Sequence, residues 1–476
     1  MTYLEVVQQT VDIAVSLVQM GIKKGDVIGI CCEKRVEVFP AMLGIVCAGA
    51  TCSPLDLTCG DATFMHRLKM ARPRTMFCSL LAYSTHEGSL RAGGVREIVM
   101  FGEHAGTVSF SQLIDKGTCV DQFLPATVDG WNDNAFLIFS SGTSDLPKGI
   151  KMTHFSFLVL NACSNGKMYF EVPMLSTREW YYTYGLLHTL VSLYAGSTVV
   201  FSPNNQLEDI SRAIQHYKIQ TLQVCPTTIN ELVKSTVLDK YDVSSLKYVI
   251  TGSTPCDARL LNAVRNRFQN LHNASQLYGM TEAGGVCSFQ GTPPGSRVGS
   301  VGRANAGVVI KVVDVNTREP LGPNQRGEIC FKSLTLMKGY IGRVDEDYLD
   351  NEKFFKTGDI GYYDDDKFFY IVDRMSDMIK YKDVSVAPAE IEALLLQHSA
   401  VREAGVVGAP HPMCGEVPTA FVVLQPGEQI SAEDLINYVN KQMSYKTKLE
   451  GGIRFVDKLP RGAGQKLARK ALKLML

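Results

Sequence analysis

The sequence predicts an α/β chain with a large, multi-sheet N-terminal domain and a small α+β domain behind it. Three observations predict this. Strand and helix signals alternate from the first residue to about residue 225, the pattern of a parallel sheet with helices on both faces. From about residue 285 the texture turns β-rich. After Arg374 a separate unit of about 100 residues begins, enough for one small domain. A chain of 476 residues exceeds what one core holds, so the boundary is placed between domains at 1–373 and 374–476.

The elements follow in order. "LEVVQQTVDIAVSLVQMG" is an amphipathic helix closed at Gly21, and "DVIGICC" is a buried strand. "KRVEVFPAMLGIVCAG" is helical again, and "ATCSPLD" is a strand before a turn. Short β-rich runs recur at "TMFCSL", "EIVMFG", "AFLIFS", "STVVFS" and "TLQVCP", with helical stretches such as "EDISRAIQHY" between several of them. The β-rich part holds "GVVIKVVDV" and "RGEICFKS". Beyond them "GDIGYYDDDKFFYIVDR" forms a hairpin turning at Asp364 to Lys367. Beyond Arg374, Pro388 opens the helix "APAEIEALLLQ", two strands lie at "EAGVVGA" and "TAFVVLQ", and Ser431-x-x-Asp434 caps a last helix.

Composition narrows the function. Lys and Arg number 48, as do Asp and Glu, so no net positive field draws the chain to nucleic acid or an acidic membrane surface. Thirteen cysteines are scattered without C-x-x-C spacing, which indicates reduced thiols and no zinc site. No apolar run is long enough to span a membrane. The N-terminus carries no basic region of a signal peptide, and Leu474-Met475-Leu476 does not match the S-K-L address. The expected location is cytoplasmic or peroxisomal.

The first candidate site is "FLIFSSGTSDLPKGIKMTH" (136–154). An apolar run breaks into the hydroxyls of Ser140, Ser141, Thr143 and Ser144, with Gly142 among them and a single cation, Lys148. This is not a Walker A loop: counted from Gly142, the second glycine of that motif is Pro147. Backbone N–H groups and hydroxyls of such a turn still suit a polyphosphate. Asp145 stands in the middle of it, a like charge to any phosphate.

Six further segments follow in the chain: "TGSTP" (251–255), "QLYGMTEAGG" (276–285), "KTGDIG" (356–361), "YIVDR" (370–374), "MIKYKDVSVAPAEIE" (378–392) and "LPRGAGQKLARKAL" (459–472). With the loop, and with "MKGY" (337–340) beside them, they resemble the superfamily of AMP-forming adenylating enzymes. These are the acyl-CoA synthetases, 4-coumarate–CoA ligases and insect luciferases. The similarity runs from Thr2-Tyr3 to the C-terminal tail. It implies that a carboxylate attacks the α-phosphate of Mg-ATP, giving acyl-AMP and pyrophosphate, and that the thiol of coenzyme A then displaces AMP. The small domain is implied to be a lid that swings between the steps.

The resemblance implies a role for each matched residue. Asp359 binds the ribose hydroxyls, since a carboxylate offers two acceptors to a vicinal diol, and Arg374 assists with its fork of donors. Tyr278 gives adenine a flat face, with Gly252, Ser253 and Thr254 on its other side. Thr281 bonds the α-phosphate, and Glu282 holds Mg2+, which takes oxygen ligands. Lys466 bridges the α-phosphate and the attacking carboxylate, stabilising charge that grows in the transition state. Tyr182, Tyr184 and Val286 fall in the acyl pocket, with Cys287 beside them. Lys380 and Lys382 come near the pantetheine tunnel once the lid turns.

Departures from the family pattern cluster at the same places. Asp145 replaces a small residue of the phosphate loop. Tyr182 and Tyr184 stand where the luciferase-like branch has a His-x-Phe pair, and His188, six residues on from Tyr182, reads as a packed helix residue. Ser376 occupies the usual hinge position, Asp383 a glycine position, and Gln465 the glycine position before the catalytic lysine, with Gly464 one place earlier. The pattern's usual N-terminal stretch is absent before Thr2-Tyr3. The leading expectation is therefore acid–thiol ligation of a fatty or aromatic acid. A weakened paralogue that binds nucleotide or fatty acid without turnover, and a luciferase-type monooxygenase, remain as alternatives. The sequence assigns no oligomeric state.

Overall fold

A computed structural model of the chain describes every residue except 141–146, 165–169, 203–204, 253–255, 257, 289–296, 298, 383, 443–448 and 463–465. Two α/β layers build the first half. One sheet has eight strands, in the order 339–340, 148–153, 134–140, 51–54, 27–31, 75–78, 97–100 and 108–109. The other has five parallel strands, in the order 273–276, 248–251, 221–224, 174–176 and 199–201. Helices Tyr3–Gln19 and Val38–Cys47 pack on the first sheet, burying Ile13, Leu17, Met42 and Ile45 in one core with Phe136 and Ile138. Thr2 starts the first helix by accepting from Glu5 N, while the Glu5 carboxylate accepts from Thr2 N; this exchange satisfies two N-terminal donors.

The multi-sheet large domain is as expected, but the parallel pairing read from the alternation holds only in part. There are two sheets with largely separate cores, and the larger is mixed. Lys148–Thr153, whose polar "KGIKMT" hides its strand character, runs antiparallel to Asn134–Ser140. The connection leaves no alternative, because residues 141–147 are too few for a parallel crossover. Asn134–Ser140 and Lys148–Thr153 are thus two antiparallel arms near the edge of the large sheet.

An antiparallel four-stranded sheet follows, ordered Val308–Val313, Gly327–Ser333, Phe355–Tyr363 and Phe369–Arg374. Its last two strands form the expected hairpin, with Lys367 N donating to Asp364 O (2.9 Å). A three-stranded antiparallel sheet, 278–280, 284–288 and 303–304, bridges the layers. The small domain has its own sheet, ordered 384–386, 379–381, 415–424 and 401–411, with 453–455 pairing along 415–424. Its helix Pro388–Gln397 starts on the proline, and Ser431 Oγ accepts Asp434 N (3.1 Å) at the next helix.

The two domains meet through identifiable bonds. Asp373 Oδ2 accepts Ala389 N (2.9 Å), joining the last strand of the large domain to the first helix of the small one. Lys234 Nζ, at the end of helix Pro226–Lys234, donates to Val401 O (2.8 Å) and Leu396 O (3.3 Å). Asn230 Nδ2 donates to Arg402 O (3.1 Å). Among the described residues no helix is long and apolar enough to cross a membrane.

Candidate active site

A cavity of about 1600 Å³ lies where the sheets and the small domain converge. Its walls come from strand ends. Ser140 closes the strand 134–140, Tyr278 and Gly252 follow parallel strands of the second sheet, and Thr357 and Gly358 lie on the third strand of the antiparallel sheet. Lys466 enters from the small domain. Twelve Lys and Arg line the cavity against six Asp and Glu among the described residues, in a chain whose net charge is zero. Such an excess attracts a polyanion.

The tightest cluster is built on Asp359. Tyr278 Oη donates to its Oδ2 (2.6 Å), and Arg374 Nε lies 2.9 Å from its Oδ1. The strands make this pairing automatic, because Asp359 and Arg374 are direct partners in the antiparallel ladder. Gly358, at φ +69°, supplies the left-handed turn before it, and its N–H donates to Glu328 Oε1 (2.9 Å). Burial raises the Asp359 carboxyl above its usual range, against the pull of Arg374, the Tyr278 donor and Lys466. The Lys466 ammonium is depressed by burial and by Arg374, and Asp359 and Glu282 partly offset this. Among the described residues the Lys466 ammonium makes no hydrogen bond or ion pair.

A second cluster surrounds Glu282. Tyr340 Oη donates to Glu282 Oε1 (2.7 Å), and Lys148 Nζ stands 5.3 Å from the centre of the Tyr340 ring. Burial is the main cause that lowers the Lys148 ammonium, with Arg343 adding repulsion and Glu282 opposing it. Thr281 lines the cavity next to Glu282. The Ser140 hydroxyl is buried with no partner among the described residues. Ser141, Gly142, Thr143, Ser144 and Asp145 lie outside the described residues, as do Ser253, Thr254, Asp383, Gly464 and Gln465.

The third wall holds Tyr182 and Tyr184. Tyr182 Oη donates to Asp56 Oδ2 (2.6 Å), and Arg67 Nη1 lies 3.5 Å from the same oxygen. Both charges of this pair are almost fully buried, and both line the cavity. Tyr184 packs against His188, whose Nδ1 accepts from Gln223 Nε2 (2.8 Å). A side chain at Gly252 would lie 3.1 Å from Leu277 O and 3.6 Å from the Tyr184 ring, so the backbone itself forms the wall. Val286 is fully buried in the core, and its strand neighbours Gly285 and Cys287 line the cavity.

Lys380 lies on strand 379–381 of the small domain and Lys382 just after it, both exposed; Lys382 Nζ donates to Tyr381 Oη (2.6 Å). In this orientation the small domain brings Lys466, not these two lysines, to the cavity. Ser376 lines the cavity beside Asp377, which pairs with Arg469 (3.3 Å). Asp56, Arg67, Glu328 and Arg343 belong to the site and were missed in the sequence reading, because what brings them there is tertiary: Asp56 meets Tyr182, and Arg343 arrives just after the strand 339–340.

Comparison with known proteins gives the class. The AMP-binding enzyme family matches residues 1–341, and the AMP-binding enzyme C-terminal domain matches residues 390–466. The chain belongs to the AMP-binding enzyme family, within the adenylate-forming superfamily, whose chemistry is ATP-dependent adenylation of a carboxylic acid. It is 32% identical to luciferin 4-monooxygenase of Luciola mingrelica over 492 residues, covering 100% of this chain and 89% of that protein. It is also 32% identical to 4-coumarate–CoA ligase 1 of Petroselinum crispum, covering 99% of this chain and 88% of the ligase. The ATP-bound structure of MatB from Rhodopseudomonas palustris superimposes with a TM-score of 0.88 at 25% identity, over 99% of this chain and 93% of that one.

Proposed function

We propose that this chain joins a carboxylic acid to ATP as an acyl-adenylate and then transfers the acyl group to the thiol of coenzyme A. One observation carries the reading. Lys466, on the small domain, reaches the same cavity as Glu282, Lys148 and Arg374, close enough to feel the Asp359 charge, and its ammonium makes no ion pair there among the described residues. Lys466 is half-buried; an ammonium drawn partly out of water without a partner costs free energy, and an incoming phosphate and carboxylate offset that cost.

The residues divide the work. Asp359 holds the ribose through both oxygens, and Arg374 fixes its orientation. Tyr278 and the backbone at Gly252 flank the base. Lys148 and the Ser140 hydroxyl meet the outer phosphates, and Thr281 meets the α-phosphate. Lys466 draws the acid and the α-phosphate together and neutralises the charge that gathers at phosphorus. Tyr182 and Tyr184 bound the acyl side. Glu282 fits Mg2+: its Oε1 is held by Tyr340, and this ion takes one or two carboxylates alongside substrate phosphates. The ion, when bound, withdraws charge from the phosphates.

For the second step the small domain turns about the joint after Arg374. Lys466 leaves the cavity, and Lys380 and Lys382 approach it. The test is thioester formation, followed by mass, with ATP, Mg2+, coenzyme A and a panel of aliphatic and aromatic acids. An acyl-CoA product from any acid supports the reading. Acyl-adenylate without acyl-CoA removes the thiol step, and light from luciferin and ATP points to the monooxygenase instead.

A further inference from the structure

The segment after "MKGY" is placed by strand pairing. Gly339 lies opposite Lys151 and Tyr340 opposite Ile150 in an antiparallel ladder, and Ile341 N donates to Gly149 O (2.9 Å). An antiparallel partner runs backwards, so the chain beyond Tyr340 follows the chain before Gly149 toward Lys148 and Pro147. Gly342, at φ +70°, makes the turn, and Arg343 comes next. The Arg343 guanidinium carbon then lies 5.7 Å from the Tyr340 ring centre, with Lys148 Nζ 5.3 Å from the same ring.

Both cations line the cavity, and neither makes a hydrogen bond or ion pair among the described residues. The acids that follow Arg343 in sequence do not neutralise it: none is within ion-pair distance, and Asp345 accepts from Tyr348 Oη. Glu282 faces Lys148 but is held by Tyr340. Two like charges gathered at one ring repel each other, and a bound polyanion reverses the sign of that interaction.

We infer that Arg343 is a further phosphate-binding residue, which with Lys148 grips the outer phosphates of ATP and the pyrophosphate that leaves. The inference rests on the adenylation reading. In that step a carboxylate oxygen bonds to the α-phosphorus. The bond from that phosphorus to the bridging oxygen breaks, and its electron pair departs on pyrophosphate. Charge therefore grows at the end of the triphosphate that Arg343 faces. A planar guanidinium presents two parallel N–H donors to two phosphate oxygens in a fixed fork, a geometry the rotating ammonium of a lysine lacks.

The experiment measures binding of Mg-ATP, AMP and inorganic pyrophosphate to the full chain, as wild type, Arg343→Ala and Arg343→Lys. Arg343 is exposed, so the fold should tolerate both changes, and thermal melting checks this. Arg343→Ala is expected to weaken Mg-ATP and pyrophosphate about ten-fold or more, leaving AMP within about two-fold. Arg343→Lys falls between. Unchanged Mg-ATP affinity, or equal losses for Mg-ATP and AMP, would overturn the inference while leaving the adenylation reading intact. Wild-type protein that binds none of the three would overturn both.

Discussion

Tyr278, on the three-stranded antiparallel sheet, is joined at the cavity to Asp359, on the four-stranded one: Tyr278 Oη donates to Asp359 Oδ2 at 2.6 Å. The bond fixes a buried carboxylate whose other oxygen faces Arg374 at 2.9 Å. Burial raises the tyrosine hydroxyl, with the Asp359 charge adding to it, so the proton stays on Tyr278. Asp359 then presents fixed acceptors to an incoming diol. Tyr278→Phe removes the donor and leaves a buried carboxylate oxygen without it. The expected cost is about 1–3 kcal/mol in urea unfolding, with weaker AMP binding. Unfolding at the wild-type midpoint would show that the bond does not hold the site.

Lys234 caps lid carbonyls from the large domain, and its test separates the two half-reactions. Lys234→Ala removes the bonds to Val401 O and Leu396 O. The population holding Lys466 in the cavity should fall by up to about ten-fold. Adenylation slows accordingly, while thioester formation from added acyl-adenylate does not slow. Equal losses in both halves would mean a general loss of folding.

Asp373 gives a pH dependence whose sign is fixed. Burial raises its carboxyl from 3.8 to about 6; Glu392 adds to this, and Arg469 and the Ala389 and Arg374 N–H groups oppose it. Between those values the folded chain holds more protons than the unfolded one, so this group's contribution to stability is lost as pH rises from about 4 to about 6. Asp373→Asn cannot titrate. Relative to wild type it should gain about 3 kcal/mol across that window, on top of a constant cost for the mismatched amide. Denaturation at pH 4 and pH 6.5 reads the difference, and parallel pH profiles would contradict it.

Tyr182→Phe tests the third wall. The change leaves Asp56 Oδ2 with only Arg67 at 3.5 Å among the described residues, in an almost fully buried ion pair. A stability loss of about 1–3 kcal/mol is expected. The KM for the acid should shift while that for ATP stays, as measured by initial rates over both substrates.

Much of the site was legible because the motif residues are local. "TGD" and "YIVDR" lie on two arms of one hairpin, and the alternation of that hairpin puts Asp359 opposite Arg374. What was not legible depends on distant pairing. Asp56 meets Tyr182 across 126 positions, and neither sequence neighbourhood signals the other. Arg343 reads as a loop charge until the two-residue strand Gly339–Tyr340 joins the large sheet beside Lys148–Thr153. That strand was missed for its brevity, and its partner for its polarity. Val286 reads as a pocket residue beside "TEAGG", but alternation along its strand points it into the core and turns Cys287 to the cavity.

The most direct test of the account is carboxylate-dependent ATP–pyrophosphate exchange in wild type and Lys466→Ala, with AMP binding measured on both. The account predicts exchange with at least one acid. It also predicts a loss of about 10²–10³-fold in the variant, with AMP affinity preserved because Asp359, Arg374 and Tyr278 are untouched. Folded wild-type protein that binds AMP yet exchanges with no acid, or a variant that exchanges as well as wild type, would contradict it.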